Sequence, residues 1–140
     1  MIHKNFTFTR EERLKSRKVI EHLFKEGNSF AQYPLRVVWS EMEERKSNFP
    51  VQFALSVSKK KFKRAVDRNR IRRLVREAYR LNKHILYEKL TEQQQATSDK
   101  QIALMVIYTG AEILSFEEIE KAMRELLRRF AKKYRAGNQN

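Results

Sequence analysis

The chain of 140 residues has no cysteine. That excludes a disulfide framework and any thiolate zinc site, and it suits a reducing compartment. Long apolar runs are missing too. The longest, Ile102 to Tyr108, falls far short of the ~20 residues that cross a bilayer. The opening MIHKNFTFTREE has no apolar stretch and carries acids early, so it does not read as a signal peptide; a cytoplasmic location is expected. No internal repeat and no linker interrupts the chain, and its length suits one domain around one core. Residues 1–8 are expected to form a flexible arm and residues 136–140 a flexible tail.

Acids are scarce where bases are dense. The chain is 41% hydrophobic, enough for a core, and 34% charged, with a net charge of +14. Such a balance calls for a polyanionic partner. Between Lys59 and Arg80 there are eleven Lys and Arg against two acids, Asp67 and Glu77. These 22 residues therefore carry +9, and the remaining 118 carry +5.

Local signals give an element order α-β-β(-β)-α-β-α. Ser16 is a good N-cap and Gly27 a good terminator for a first helix whose Val19, Ile20, Leu23 and Phe24 share a face. Thr9 and Glu12 suit a capped extra turn upstream. Leu35, Val37 and Trp39 alternate with Arg36, Val38 and Ser40, the mark of a half-buried strand. Val51, Phe53, Leu55 and Val57 alternate with Gln52, Ala54, Ser56 and Ser58, a second strand whose small polar outer face leaves room for a ligand. A weakly signalled strand fits between Gly27 and Tyr33. Residues 41–49 read as a loop, as do residues 91–100. A central helix is expected from Ala65 to Leu90, a buried strand from Ile102 to Tyr108, and a last helix capped by Ser115 and Glu118.

On a wheel of ~100° per residue, the apolar residues of the central helix span roughly 140° around Ile71. Asn69, Arg72, Arg73, Arg76, Arg80 and Lys83 gather on another arc. Guanidinium forks at i, i+4 and i+8 can follow a phosphate backbone, and KKKFKR at Lys59–Arg64 adds a basic loop, read as flexible, at the helix entrance. A merely solvated basic face fails on charge balance, because like charges at i, i+4 repel. A membrane-surface helix needs apolar residues free to enter lipid, and the strands claim those of this helix. The polyanion is thus read as a nucleic acid.

The segment SVSKKKFKRAVDRNRIRRLVREAYR, Ser56 to Arg80, resembles the signature of the bacterial ribonuclease P protein component: an Arg-Asn-Arg core, here Arg68-Asn69-Arg70, in a basic helix after a strand ending in Lys59-Lys60. RLKSRKVIEHLFKEGNSF, Arg13 to Phe30, is similar to that family's first helix and following turn. Lys61-Phe62-Lys63-Arg64 stands where some relatives have a glycine and is a spelling also found in the family. Thr109-Gly110 stands where many relatives have a basic pair, so that pair's contacts are not carried over.

The resemblance implies an α+β fold, a single-domain α-β-β-β-α-β-α two-layer sandwich (ribosomal protein S5 domain 2-like) with a left-handed β-α-β crossover. Residue physics alone would not propose that hand, since about 98% of such crossovers are right-handed. It further implies a non-catalytic subunit that joins a catalytic RNA in removing the 5′ leader of precursor tRNA. By the same resemblance no cofactor bound by the protein itself is expected, and magnesium ions are expected with the RNA subunit. Precursor tRNA and the catalytic RNA are the expected partners, with no membrane and no DNA. RNA contact is assigned to Lys59, Lys60, Lys61, Lys63, Arg64, Arg68, Asn69, Arg70, Arg72, Arg73, Arg76 and Arg80. A leader cleft is assigned to Ile20, Phe24, Val38, Ser56 and Ser58, closed by Lys59 and Lys60, although Ile20 and Phe24 read equally well as core.

No catalytic or metal-binding residue is expected. Glu41, Glu43 and Glu44 lack the company a two-metal nuclease needs, and His3, His22 and His84 share no spacing. The competing reading is a ribosomal or RNA-assembly protein that takes no part in cleavage.

Overall fold

The computed structural model describes residues 6–42, 46–96 and 101–134. A short 3-10 turn at Arg10–Glu12 precedes α1 (Arg17–Glu26), β1 (Asn28–Gln32), β2 (Leu35–Glu41), β3 (Val51–Val57), α2 (Ala65–Ala96), β4 (Ile102–Tyr108) and α3 (Phe116–Lys133). The strands form one sheet in the order β1-β2-β4-β3. β4 pairs antiparallel with β2 and parallel with β3, so α2 is the crossover between two parallel neighbours. This is the α+β arrangement expected from the sequence.

Period-2 alternation sorts the sheet's two faces. Leu35, Val37 and Trp39 of β2, Val51 and Phe53 of β3, and Ile102, Leu104 and Val106 of β4 face α2 and α3 and build the main core with Ile71, Val75, Tyr79, Leu86, Met123, Leu127 and Phe130. The opposite face carries a smaller cluster in which Leu23 of α1 meets Val38, Ala103 and Met105. Because α1 covers part of that face, β2 is buried on both sides from Val37 to Ser40, with Val38 and Ser40 both buried. It is not the half-buried strand its alternation suggests.

Caps hold the helix starts. Ser16 Oγ accepts from the Val19 amide at 3.3 Å and Ser115 Oγ from the Glu118 amide at 3.2 Å. Gly27 ends α1 for reasons of space: a Cβ there would lie 2.5 Å from the Leu23 carbonyl oxygen and 2.7 Å from Val38 Cγ1. Helix α2 runs six residues past its expected end at Leu90, through Ala96. Glu, Gln and Ala there are good helix formers and neither Gly nor Pro intervenes. The rest of that connection, residues 97–100, lies outside the described residues, as do the tail, residues 1–5, and Glu43 and Glu44.

The N-terminal arm is anchored from Phe6 onward. Phe8 stands edge-on to both Phe53 and Tyr79, at 5.9 Å from each, while those two rings stack at 3.9 Å. Glu12 is fully buried. Its Oε1 accepts from the Thr9 amide (2.9 Å) and hydroxyl (3.1 Å), and its Oε2 accepts from the Tyr87 hydroxyl (2.5 Å) and from Lys83 Nζ. Lys83, placed by its wheel position on the cationic strip, is 2% exposed and faces inward. Burial alone would raise the Glu12 carboxyl, but Lys83, the Thr9 amide and Tyr87 together hold it below its ordinary 4.5. Burial, with Tyr79 and Glu12 alongside, pushes the Tyr87 hydroxyl up and keeps it a donor.

Two outcomes follow from this buried cluster. Glu12→Gln leaves an ammonium buried without its counter-charge and should cost about 3–5 kcal/mol in urea unfolding, much of it recovered by adding Lys83→Met. Since the folded Glu12 pKa is depressed, its contribution is complete above the unfolded glutamate pKa and declines as pH falls through and below it. Wild type should therefore lose stability on acidification more steeply than the double variant.

Candidate nucleic-acid interface

The basic segment begins as a turn after β3 and continues as the first half of α2. The turn is pinned, where the sequence suggests a flexible loop. Phe62 is buried at its centre, edge-on to Tyr108 at 6.0 Å. Ser58 Oγ accepts from the amides of Lys60 (3.2 Å) and Lys61 (3.3 Å). Lys61 Nζ donates to the Thr109 carbonyl at 3.0 Å, and Arg68 Nη1 donates to the carbonyls of Phe62 (2.8 Å) and Lys63 (2.9 Å). Arg68 and Ser58 thus shape the turn from within. Lys59, Lys60, Lys61, Lys63 and Arg64 are left exposed on a fixed support.

Along α2 the cationic strip divides. Asn69, Arg70 and Arg73 are exposed and Arg72 and Arg76 half-buried, with Arg72 Nη1 donating to Asn69 Oδ1 at 3.1 Å. Further on, Arg80 forks onto Glu77 at 2.8 and 2.6 Å and donates to the Phe6 carbonyl at 2.7 Å. With Lys83 buried as well, the open strip stops near Arg76. Burial and the like charges of Arg13 and Arg72 push the Arg76 guanidinium below its ordinary value: the cations here crowd one another.

The predicted cleft residues separate into three roles. Val38 lies beneath α1 as part of the sheet floor. Ile20 is half-buried against the same cluster, beside Ala54 and Ile107. Phe24, one turn on from Ile20, is 59% exposed and is not core. Sheet register aligns Arg36, Ile107 and Ser56 in one row on the α1 face, giving an open floor of one cation, one apolar and one small polar side chain. Ser58 is spent on the turn.

Tyr33 and two strap cations escaped the sequence reading. Tyr33 is 67% exposed at the β1–β2 turn, which the Thr109 amide ties down by donating to the Pro34 carbonyl at 2.7 Å. It therefore shares the sheet end where Lys61 reaches Thr109. Arg13 and Lys15 line a cavity together with Arg72 and Arg76. Both sit in the stretch that carries the family resemblance, but their partners on α2 are about sixty residues away in sequence. Among the described residues, no group of three His, Asp or Glu side chains comes together as a metal site.

Exposure makes Phe24 directly testable. Phe24→Ala should shift unfolding by no more than about 0.5 kcal/mol, as for a surface change. Leu23→Ala, one residue earlier and buried, should cost about 2–5 kcal/mol. Thermal melts of the two variants check both values.

Known proteins with this arrangement point one way. The family model for ribonuclease P matches residues 8–131. The chain is 44% identical over 126 residues to the ribonuclease P protein component of Porphyromonas gingivalis, covering 90% of this chain and 88% of that one. It is 34% identical over 123 residues to that of Chlorobaculum tepidum, covering 85% and 79%. Among solved structures, the Thermotoga maritima RNase P protein superposes with a TM-score of 0.63 at 24% identity over 84% of this chain and 96% of that one. The Staphylococcus aureus RNase P protein gives 0.63 at 23% over 86% and 95%. These last two speak for the fold. Fold, basic helix and sequence agree: the chain belongs to the ribonuclease P protein family.

Proposed function

We propose that this chain, as the protein subunit of the endoribonuclease ribonuclease P, docks on the catalytic RNA through the Lys59–Arg76 face and holds the 5′ leader of precursor tRNA along the α1 side of the sheet. The carrying observation is the pinned basic turn running straight into the open half of the α2 strip, eight Lys and Arg exposed or half-exposed without a carboxylate partner among the described residues: Lys59, Lys60, Lys63, Arg64, Arg70, Arg72, Arg73 and Arg76. A pinned turn presents its cations to phosphates without first losing loop entropy, and each neutralised phosphate releases counterions.

On the other face, Phe24 and Ile20 offer a wall on which leader bases stack, above the Arg36–Ile107–Ser56 floor. Lys59 and Lys60 flank the backbone at the end of β3. Hydrolysis belongs to the RNA. In this reading the RNA would hold the magnesium ions that serve cleavage, and the protein's cations would reduce how many of them folding and substrate binding require. Such work places the chain in the cytoplasm with its substrate; no helix among the described residues is long and apolar enough to cross a membrane.

Two experiments test this reading. In a salt titration of binding to the ribonuclease P RNA of the same genome, replacing Arg72 and Arg76 together by Ala should lower the log–log slope by about 1.4–1.8, with the melting curve still cooperative. An unchanged slope rejects this face as the docking surface. In the reconstituted holoenzyme, Phe24→Ala should weaken precursor tRNA binding by about 1–3 kcal/mol, the loss of one stacking contact, and leave mature tRNA binding unchanged. Equal losses for both substrates, or cleavage by rigorously RNA-free protein, overturns the assignment.

A further inference from the structure

The strap that precedes α1 builds a second feature beside the cationic strip. Leu14 donates its amide to the Phe53 carbonyl at 2.8 Å, and Arg13 forms a single parallel bridge with Phe53 at the free edge of β3. This pairing brings Arg13 and Lys15 across from Arg72 and Arg76 of α2. Between the two elements lies a cavity of about 230 Å³. Its rim is those four cations. Its wall includes Phe8 and Leu55, both half-buried. Among the described residues, no carboxylate lines it.

Three properties of this cavity select a ligand class. First, four cations from two separate elements converge with no acid between them, and Arg76 already feels Arg13 and Arg72 as repulsion. An anion at the rim would relieve what the protein leaves unbalanced. Second, the lining sets apolar groups beside the cations: Phe8 is held edge-on by Phe53 and Tyr79, with the Arg13 guanidinium over its ring, 5.6 Å from the ring centre. A bare phosphate has no use for such a wall, whereas a base beside its phosphate uses both. Third, the volume is below the roughly 300–1,000 Å³ of a site for a drug-sized ligand, so it suits one ring system and not a stacked run.

We propose that this cavity receives one unpaired nucleotide of the catalytic RNA, its base against Phe8 and Leu55 and its phosphate among Arg13, Arg72 and Arg76. The inference rests on the reading that the basic face of α2 docks on that RNA. It adds the N-terminal strap as the opposing jaw, so the RNA is gripped between two elements instead of lying on one helix.

Arg13 supplies the test, because it is exposed, belongs to the strap and lies outside the α2 strip. Full-length wild type, Arg13→Ala, Arg13→Lys and Arg72→Ala are titrated with the ribonuclease P RNA of the same genome across a salt series. Arg13→Ala should bind at least about tenfold more weakly, with the salt slope lower by about 0.7, one single-strand phosphate contact. Arg13→Lys should recover the slope but only part of the affinity, because the planar fork is lost. Ultraviolet irradiation of the wild-type complex followed by peptide mass spectrometry should place a nucleotide adduct on the peptide that carries Phe8.

If Arg13→Ala binds as wild type does while Arg72→Ala binds weakly, the cavity is not a nucleotide site and the docking face stands. Adducts confined to other peptides would likewise overturn the placement of the base. Failure of wild type to bind this RNA at all would remove both readings.

Discussion

Helix α2 has to be core and charged surface at once, and the rest of the molecule is arranged around that constraint. Its inner side buries Ile71, Val75, Ala78, Tyr79, Leu86 and Leu90 between the sheet and α3. Its outer side carries arginines at positions where neighbouring turns repel. Apolar burial of the inner side, at about 25 cal/mol per Å², holds the helix against that repulsion. A helix with the same outer face and no sheet behind it would have little reason to form. The parallel pairing of β3 and β4 fixes the two points between which the helix must cross.

The same helix is tied to the N-terminal strap by the Glu12–Lys83–Tyr87 cluster, the one place among the described residues where charge is taken wholly inside. Buried pairs are weak contributors to net stability but strong specifiers of arrangement, because neither partner tolerates burial alone. Here the arrangement specified is the path of the strap. It sets Phe8 on the Phe53–Tyr79 stack, hands the Phe6 carbonyl to Arg80 and delivers Arg13 to the edge of β3. The cationic strip is thereby trimmed at one end and widened at the other.

Preorganisation is the common theme of the basic surface. A chain with a net charge of +14 would attract any polyanion, but a fixed array discriminates by geometry. Phe62 inside the turn, the Ser58 hydroxyl beneath it and Arg68 folded back on its carbonyls spend apolar and polar groups of the segment itself on fixing the backbone that carries the remaining lysines. Lys61 reaching the Thr109 carbonyl adds a cation at one end of the sheet, and the exposed Tyr33 ring stands at the same end.

The sequence by itself determined the element order, the caps at Ser16 and Ser115, the core stripes and the location of the charge, because each of these is a local or periodic property. The family followed from the Arg68-Asn69-Arg70 block and its neighbours. Tertiary structure decided what a wheel or an alternation cannot express. Lys83 lies on the cationic arc but turns inward because Glu12, 71 positions away, waits there. Val38 and Ser40 alternate like surface residues but are buried because α1 folds over them. Phe24 and Leu23 are adjacent and similar, yet only one reaches solvent, since α1 meets the sheet along one side. Arg13 joins Arg72 and Arg76 through a strand-edge contact with no local signature. Periodicity reports which side of an element differs from the other; only the packed neighbours decide which side is covered and which charges meet.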